Sequence, residues 1–364
     1  MRWESLMADH VEVGGTLPLF QDETVVRRFN TPEFKGITFY EVKAKSIINH
    51  VKGNRLGFNW TINPYRGCSH ACAYCFARPT HTYLDFNAGH DFESKIVVKI
   101  NAVELLRREL QRPTWRGEHI AMGTNTDNYQ RAEGRYRLMP GILAELNKAR
   151  NPYSILTKST LIQRDIDLLA EGASISSVSA CFSVGTVDEE VWKRTEPGTP
   201  HPLKRLEVVH KLNDSGVPCG VMVAPILPGI SDSMEQMEAT VRAAVEAGAT
   251  NIVPIVLHLR PGVKEEFMGW LKESHPELVT TYEQMYRGAY APKEVSEPIT
   301  KAVRHLKKRH GAKEPSGPAR PLARGGSGSR RKPKAEPPET ESHEQMTLDL
   351  GKQSKRAPKW VKER

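Results

Sequence analysis

The chain has 364 residues, and its 52 lysines and arginines outnumber its 43 aspartates and glutamates, which gives a formal net charge of +9 at pH 7. This length excludes a disulfide-stapled miniprotein and is sufficient for a large hydrophobic core. No apolar run free of charge, proline and glycine is long enough to span a membrane, and the N-terminal residues lack a secretory signal. Since five cysteines without secretion indicate a reducing compartment, we expect a cytoplasmic protein without membrane association.

In chain order, residues 1–55 show only weak strand and turn signals and are treated as an N-terminal extension. Beyond them, short apolar runs alternate with amphipathic segments at helical spacing. The predicted strands are 57–62, 95–100, 119–123, 153–157, 177–184, 217–224 and 251–257. The predicted helices are 136–150, 165–171, 203–213, 233–247 and 264–273. This alternation predicts an α/β fold with parallel strands, and it is compatible with a doubly wound sheet or with a closed or partial barrel.

The C-terminal part of the chain carries the excess positive charge. Residues 301–364 contain 18 basic and 7 acidic side chains, so residues 1–300 have a net charge of −2. A last amphipathic helix is predicted at 297–310, and the proline, glycine and charge that follow are typical of disorder. The predicted organisation is therefore an extension (1–55), a folded body (56–290), a C-terminal helix (291–310) and a disordered basic tail (311–364).

The most informative motif is a group of three cysteines directly after the first predicted strand. Cys68, Cys72 and Cys75 have the spacing C-x3-C-x2-C. Three thiolates leave a tetrahedral zinc ion one ligand short, whereas they suit a [4Fe-4S] cluster whose fourth iron is open to a small molecule. The alternative is a structural Cys3His zinc site, with His70 or His81 as fourth ligand, in a nucleic-acid-binding module without catalysis.

The cysteine motif resembles the signature of the radical S-adenosylmethionine (SAM) superfamily, C-x3-C-x-aromatic-C, with Tyr74 at the aromatic position. The flanking sequences Asn-Pro-Tyr-x-Gly-Cys and Tyr-Cys-Phe-Ala resemble the spore-photoproduct-lyase-like branch and related uncharacterised actinobacterial radical SAM proteins. The resemblance covers about residues 55–290. It implies a partial (β/α)6 TIM-type barrel, in which 57–62 is the first strand and 95–100 is an extra strand or part of the first crossover.

The resemblance also implies two cofactors, a [4Fe-4S] cluster and SAM. In this superfamily the open iron binds SAM, and reductive cleavage yields a 5′-deoxyadenosyl radical that abstracts hydrogen from a substrate. The residues expected to contact SAM lie mostly at the carboxyl ends of predicted strands: Tyr74, Thr124, Asn125, Asp127, Lys158, Ser183 and Asp232. Asp232 occupies a position where the family usually has glutamate.

Each predicted SAM contact has a simpler structural alternative. The polar run 123–130 could be an ordinary turn and helix cap, and Lys158 could extend from a strand end into solvent. Arg194 and Glu196, which follow the fourth barrel strand, are candidates to line the same opening or could form a surface ion pair.

The substrate is not determined by these motifs. Photoproduct lyases use a cysteine near the end of the second barrel strand, whereas residues 121–125 contain no thiol, so pyrimidine-dimer repair is not supported. Cys181 and Cys219 read as buried core thiols, and Cys181 is kept as a candidate hydrogen-atom donor. The substrate is then a nucleic acid or nucleotide, or alternatively a small molecule or peptide.

Two kinds of partner are expected. A reductively activated cluster needs an electron donor of the flavodoxin or ferredoxin type. In the tail, Gln345, Leu348 and Leu350 resemble the short peptide by which bacterial DNA-processing proteins bind the replication sliding clamp. DNA and the clamp are therefore candidate partners.

Overall fold

The structure, a computed structural model, describes residues 10–14, 17, 24–51 and 57–312. The strands in these ranges are β1 (His10–Gly14), β2 (Thr24–Arg28), β3 (Thr38–Val42), β4 (Ile48–His50), β5 (Trp60–Ile62), β6 (Tyr65–Arg66), β7 (Lys95–Lys99), β8 (Ile120–Met122), β9 (Tyr153–Thr157), β10 (Val178–Ser183), β11 (Cys219–Ile226) and β12 (Ile252–Val256). The helices are α1 (His90–Ser94), α2 (Ala102–Leu110), α3 (Arg131–Tyr136), α4 (Leu138–Lys148), α5 (Ile166–Ile175), α6 (Glu189–Thr195), α7 (Pro202–Asp214), α8 (Met234–Glu246), α9 (Lys264–Ser274), α10 (Val279–Met285) and α11 (Lys293–Arg309). The predicted disordered tail lies outside the described residues.

A seven-stranded sheet forms the centre of the fold, with the strand order β12-β11-β10-β9-β8-β5-β4. Its six strands from β5 to β12 are parallel, and β4 is antiparallel to β5. Doubly wound sheets reverse their strand order at a switch point, whereas this order follows the chain without reversal. The six parallel strands with intervening helices therefore confirm the α/β fold class and the partial (β/α)6 barrel.

A second sheet, which the sequence did not reveal, has the order β1-β2-β3-β7-β6. The predicted strand 95–100 corresponds to β7 and belongs to this sheet, where it runs parallel to β3 and antiparallel to β6. Because β3 precedes residue 55 and β7 follows it, the extension and the folded body share one sheet. Phe29, Phe34 and Phe39 contact one another, and Phe39 also contacts Tyr136 at the end of α3.

The C-terminal helix is longer than predicted and packs against the barrel. Helix α11 begins at Lys293 and includes Pro298, although proline removes an N–H donor from a helix, whereas the predicted amphipathic helix spans 297–310. The apolar face of α11, with Ile299, Val303 and Leu306, is buried in the main core, which explains why the helix continues through the proline. No helix in the described part of the chain is long and apolar enough to cross a membrane.

A buried lysine joins the two sheets. The Lys99 ammonium donates to the Asn63 carbonyl over 2.9 Å, and burial, with a smaller effect of Arg66, lowers the pKa of Lys99 to about 7. The unfolded chain, in which lysine keeps its ordinary value of 10.5, therefore binds more protons than the folded chain between these pH values. The free energy of unfolding should accordingly rise with pH across this window.

We expect Lys99→Met to remove this contribution. Chemical denaturation of the wild type and the variant at about pH 7 and about pH 9 should show the wild type gaining stability relative to the variant at the higher pH. A constant difference between the two proteins at both pH values would contradict the shifted pKa. Lys148→Met, a change at an exposed lysine of α4, serves as the control.

Candidate active site

The three cysteines lie on a loop, residues 68–75, that follows β5 and β6; we call it the cysteine loop. The loop begins after Gly67, whose φ of +80° favours glycine and whose Cβ would lie 2.8 Å from the Phe92 carbonyl oxygen. Gln130 holds the start of the loop: its amide nitrogen donates to the Gly67 carbonyl and its amide oxygen accepts from the Ser69 N–H. The backbone N–H of Cys68 donates to the Phe92 carbonyl over 2.9 Å.

The thiols of the cysteine loop are largely removed from solvent. Cys68 and Cys72 are each 6% exposed, and Cys75 is half-buried. Burial raises the pKa of all three thiols, to about 12 for Cys72, and the neighbouring Asp127, Cys75 and Cys72 raise that of Cys68 further. The three thiols therefore lie within electrostatic reach of one another.

The donor set of this loop fits an iron–sulfur cluster. In the ranges that the structure describes, no three His, Cys, Asp or Glu side chains converge as a group able to hold a metal ion. Three thiols on one short, buried loop are nevertheless the ligand type that iron–sulfur clusters use, and the remaining iron coordination is left for another ligand. The fit thus rests on the chemistry and burial of the residues.

Both histidines of the zinc alternative make other contacts. His70 Nδ1 lies 3.4 Å from an Asp127 carboxylate oxygen, and burial lowers the pKa of His70 to about 4, so its ring is neutral at pH 7. His81 Nε2 lies 2.9 Å from the Lys95 carbonyl, and its ring packs against Phe92. These contacts occupy one nitrogen of each ring, His70 Nδ1 and His81 Nε2, whereas His81 Nδ1 is buried and has no hydrogen-bond partner within the described ranges.

Asp127 braces the ends of two barrel strands. Its carboxylate accepts hydrogen bonds from the Thr157 hydroxyl over 2.8 Å, from the Lys158 N–H over 2.7 Å and from the Tyr129 N–H over 2.9 Å. Through these hydrogen bonds the carboxylate joins the segment after β8 to the end of β9, and its contact with His70 links both to the cysteine loop. A contact between Asp127 and SAM stays a prediction.

Thr124 and Asn125 lie beside Asn63, directly before the cysteine loop. The Asn63 side chain donates to the Thr124 hydroxyl over 3.2 Å, and its amide oxygen accepts from the Asn125 N–H over 3.2 Å. Both residues are half-buried. The structure therefore brings the predicted polar group after β8 next to the segment that leads into the cysteines.

Lys158, at the end of β9, lies over the ring of Tyr74 in the cysteine loop. Its Nζ is 5.5 Å from the ring centroid, the distance of a cation–π contact. Burial lowers the pKa of Lys158, but the interactions with Cys72 and Glu196 outweigh that effect and raise the pKa overall, so the ammonium stays protonated. Among the described residues we find no acceptor within hydrogen-bonding distance of Lys158 Nζ, which leaves its donors for an anionic ligand.

Ser183 and Asp232 make local contacts at the ends of β10 and β11. The Ser183 hydroxyl donates to the Ala224 carbonyl over 2.7 Å. Asp232 accepts from the Gly229 N–H over 2.7 Å and so closes the turn after β11. A small pocket near these strand ends is lined by Tyr74, Gly185, Thr186, Glu196, Pro225 and Leu227, among others.

Cys181 and Cys219 occupy different environments. Cys181 lies on β10 in register with Leu156 and Gly220, is half-buried, and has a pKa raised to about 12 by burial. It therefore carries a protonated thiol at neutral pH. Cys219 is fully buried in the main core, as expected for a packing residue.

Arg205 was not among the predicted site residues. Glu196 was predicted, together with Arg194, as a candidate to line the opening of the SAM site. Arg205 and Glu196 are both buried: the Arg205 Nη2 donates to the Glu196 carboxylate over 2.5 Å, and the Glu196 carboxylate accepts from the Tyr74 hydroxyl. Burial raises the pKa of Glu196, but Arg205, Lys158 and Tyr74 lower it below its ordinary value. Arg194 is exposed. The missed signal was an arginine on the apolar stripe of α7, beside Leu206 and Val209.

Comparison with known proteins assigns this chain to one family. The family model described as "Radical SAM superfamily" matches residues 62–244. The uncharacterized protein Mb2609c of Mycobacterium bovis is 47% identical over 311 residues, which are 84% of this chain and 92% of that protein. The uncharacterized protein MJ0683 of Methanocaldococcus jannaschii is 31% identical over 196 residues, 54% of this chain and 70% of that protein.

A solved structure of spore photoproduct lyase complexed with dinucleoside spore photoproduct has the same fold, with a TM-score of 0.57 at 14% identity. The similarity covers 75% of this chain and 79% of that chain. At this identity the likeness concerns the fold alone. Since the family model spans half of the sequence and includes the cysteine loop, the chain belongs to the radical SAM superfamily.

Proposed function

We propose that the protein is a radical SAM enzyme in which Cys68, Cys72 and Cys75 hold a [4Fe-4S] cluster. Such a cluster, when reduced, supplies the electron that cleaves SAM to methionine and a 5′-deoxyadenosyl radical, which then abstracts hydrogen from the substrate. The observation that carries the proposal is the position of these three thiols, two buried and one half-buried, beside the Lys158 ammonium at the carboxyl end of the barrel strands.

The chain's own residues would bind and orient SAM. Lys158 has free donors and a charge held over Tyr74, which suits the carboxylate of an amino acid. Thr124 and Asn125 offer polar groups beside Asn63, and the family resemblance implies that this segment contacts the SAM amino group. Ser183 ends β10 and Asp232 follows β11, and the family resemblance implies that Ser183 contacts the ribose or the carboxylate of SAM and that Asp232 contacts its adenine.

The proposed enzyme class is tested by anaerobic purification and reconstitution. The protein should be brown, contain iron and sulfide, and release 5′-deoxyadenosine when SAM and dithionite are added. A colourless protein that binds zinc and releases no 5′-deoxyadenosine would favour the Cys3His alternative. A flavodoxin or ferredoxin that replaces dithionite would identify the proposed class of electron donor.

We propose a nucleic acid or nucleotide as the substrate. The support is the shared fold with a lyase whose structure contains a dinucleoside photoproduct, together with the exposed basic residues Lys301, Arg304 and Lys308 of α11. The comparison that tests this is the rate of SAM consumption with and without single-stranded and double-stranded DNA. Unchanged rates with all DNA substrates would favour a small molecule or peptide.

Cys181 is the proposed hydrogen-atom donor to the product radical. Its half-buried thiol stays protonated because burial raises its pKa to about 12, and an S–H group is the form that can give up a hydrogen atom. With the substrate identified, Cys181→Ala should reduce product formation by at least about tenfold while the initial release of 5′-deoxyadenosine persists. Equal product formation by the variant would exclude this role.

The proposed docking to the sliding clamp rests on the sequence of the tail. Gln345, Leu348 and Leu350 lie outside the described residues, so the proposal is tested with purified clamp and the full chain. Replacing Leu348 and Leu350 by alanine should abolish binding, and absence of binding by the intact protein would exclude the interaction.

A further inference from the structure

The last residue of α6 and the segment that leads to α7 cross directly over the cysteine loop; we call residues 195–200 the strap. Two backbone hydrogen bonds join them: the Ala73 N–H donates to the Thr195 carbonyl over 3.0 Å, and the Gly198 N–H donates to the His70 carbonyl over 3.1 Å. A Cβ on Gly198 would lie 2.2 Å from the Ser69 carbonyl oxygen, so only glycine permits this approach. The strap is therefore in direct contact with the cysteine loop.

Glu196, a residue of the strap, is the centre of its polar contacts with the rest of the site. One carboxylate oxygen accepts from the Tyr74 hydroxyl, and the other accepts from Arg205 over 2.5 Å. Arg205 is fully buried and also donates to the Pro200 carbonyl over 2.8 Å and to the Ser183 carbonyl over 3.0 Å. The carboxylate is thus held by an arginine that is itself bonded to the strap and to the end of β10.

The same contacts determine where the Lys158 ammonium lies. Tyr74 lies between Cys72 and Cys75, and its ring face supports Lys158 Nζ at 5.5 Å. The hydroxyl of that ring is bonded to Glu196, so the ring cannot turn away without breaking a buried hydrogen bond. Arg205, Glu196, Tyr74 and Lys158 therefore form one continuous chain of contacts.

We propose that Glu196 is a positioning residue for SAM: held by Arg205, it fixes the Tyr74 ring, which in turn places the Lys158 ammonium for the carboxylate of SAM. This inference rests on the proposed function, in which Lys158 binds that carboxylate. Glu196 acts through Tyr74 and Lys158, without touching the ligand itself. Preorganised donors bind a ligand more tightly because less ordering is needed on binding.

The test is Tyr74→Phe, which keeps the ring under Lys158, removes the hydroxyl, and leaves the Glu196–Arg205 pair intact. On the reconstituted anaerobic protein, we expect wild-type iron content per chain and a Kd for SAM raised about tenfold. The electron paramagnetic resonance spectrum of the reduced cluster should show a weaker change on addition of SAM. Tyr153→Phe, which removes a buried tyrosine hydroxyl bonded to Asn147, is the matched control and should bind SAM as the wild type does.

A double-mutant cycle with Glu196→Gln separates positioning from general stability. If Glu196 acts through Tyr74, the double variant should bind SAM no more weakly than the weaker single variant. A Tyr74→Phe protein that binds SAM within about twofold of the wild type, or that loses iron while its loaded fraction keeps the wild-type Kd, would overturn the inference. A wild-type protein that takes up no iron would refute the proposed function itself. This outcome is distinguished from failure of the inference because the wild type is measured before any variant.

Discussion

Cys72→Ala is expected to abolish cluster binding and with it the release of 5′-deoxyadenosine. Removing one of three thiolates leaves too few protein ligands on the loop, and even loss of a supporting contact to a metal ligand costs about 10- to 100-fold in affinity or activity. We therefore expect 5′-deoxyadenosine formation below about one hundredth of the wild-type rate, together with loss of visible absorption and of iron.

The control for this change is Cys219→Ala, which removes a thiol of similar burial from the core of β11. It should retain iron and 5′-deoxyadenosine release, although a small loss of stability is expected from the cavity. Wild-type iron content and activity in Cys72→Ala would show that the cluster ligands lie elsewhere, and the proposed function would then fail.

Arg205→Met is expected to cause a large loss of stability. The arginine side chain is fully buried and donates to Glu196, Pro200 and Ser183, so its removal leaves a buried carboxylate without its ion-pair partner and two carbonyls without this donor. Breaking a buried ion pair in this way typically costs about 3 to 5 kcal/mol. Urea denaturation followed by circular dichroism should show a decrease of this size in the free energy of unfolding.

Arg194→Met is the matched control, because Arg194 lies eleven positions earlier in the chain and its side chain is exposed. We expect its effect to stay within about 0.5 kcal/mol. If Arg205→Met were equally mild, the buried network would contribute little to folding. We would then conclude that the strap is held in place mainly by its backbone hydrogen bonds to the cysteine loop.

The barrel strands were predictable because each is a short apolar run bounded by polar residues. The predicted strand at 153–157 coincides with β9, and the predicted helix at 233–247 differs from α8 by one residue at each end. The second sheet was not predictable in the same way. Strands β2 and β3 mix apolar with charged residues, and β3 pairs with β7, which lies more than fifty residues later in the chain. The spacing of apolar residues indicates which face of a strand is buried, but it does not indicate which other strand pairs with it.

The sequence by itself determined the cysteine motif, the alternation of strands and helices, and the residues at the strand ends. These are local properties, set by residue type and spacing. Only the tertiary structure decided that Arg205 reaches Glu196, that Glu196 holds Tyr74, and that Tyr74 supports Lys158. The physical reason is that a buried charge needs a partner of opposite charge, and that partner is supplied by packing between elements distant in the chain.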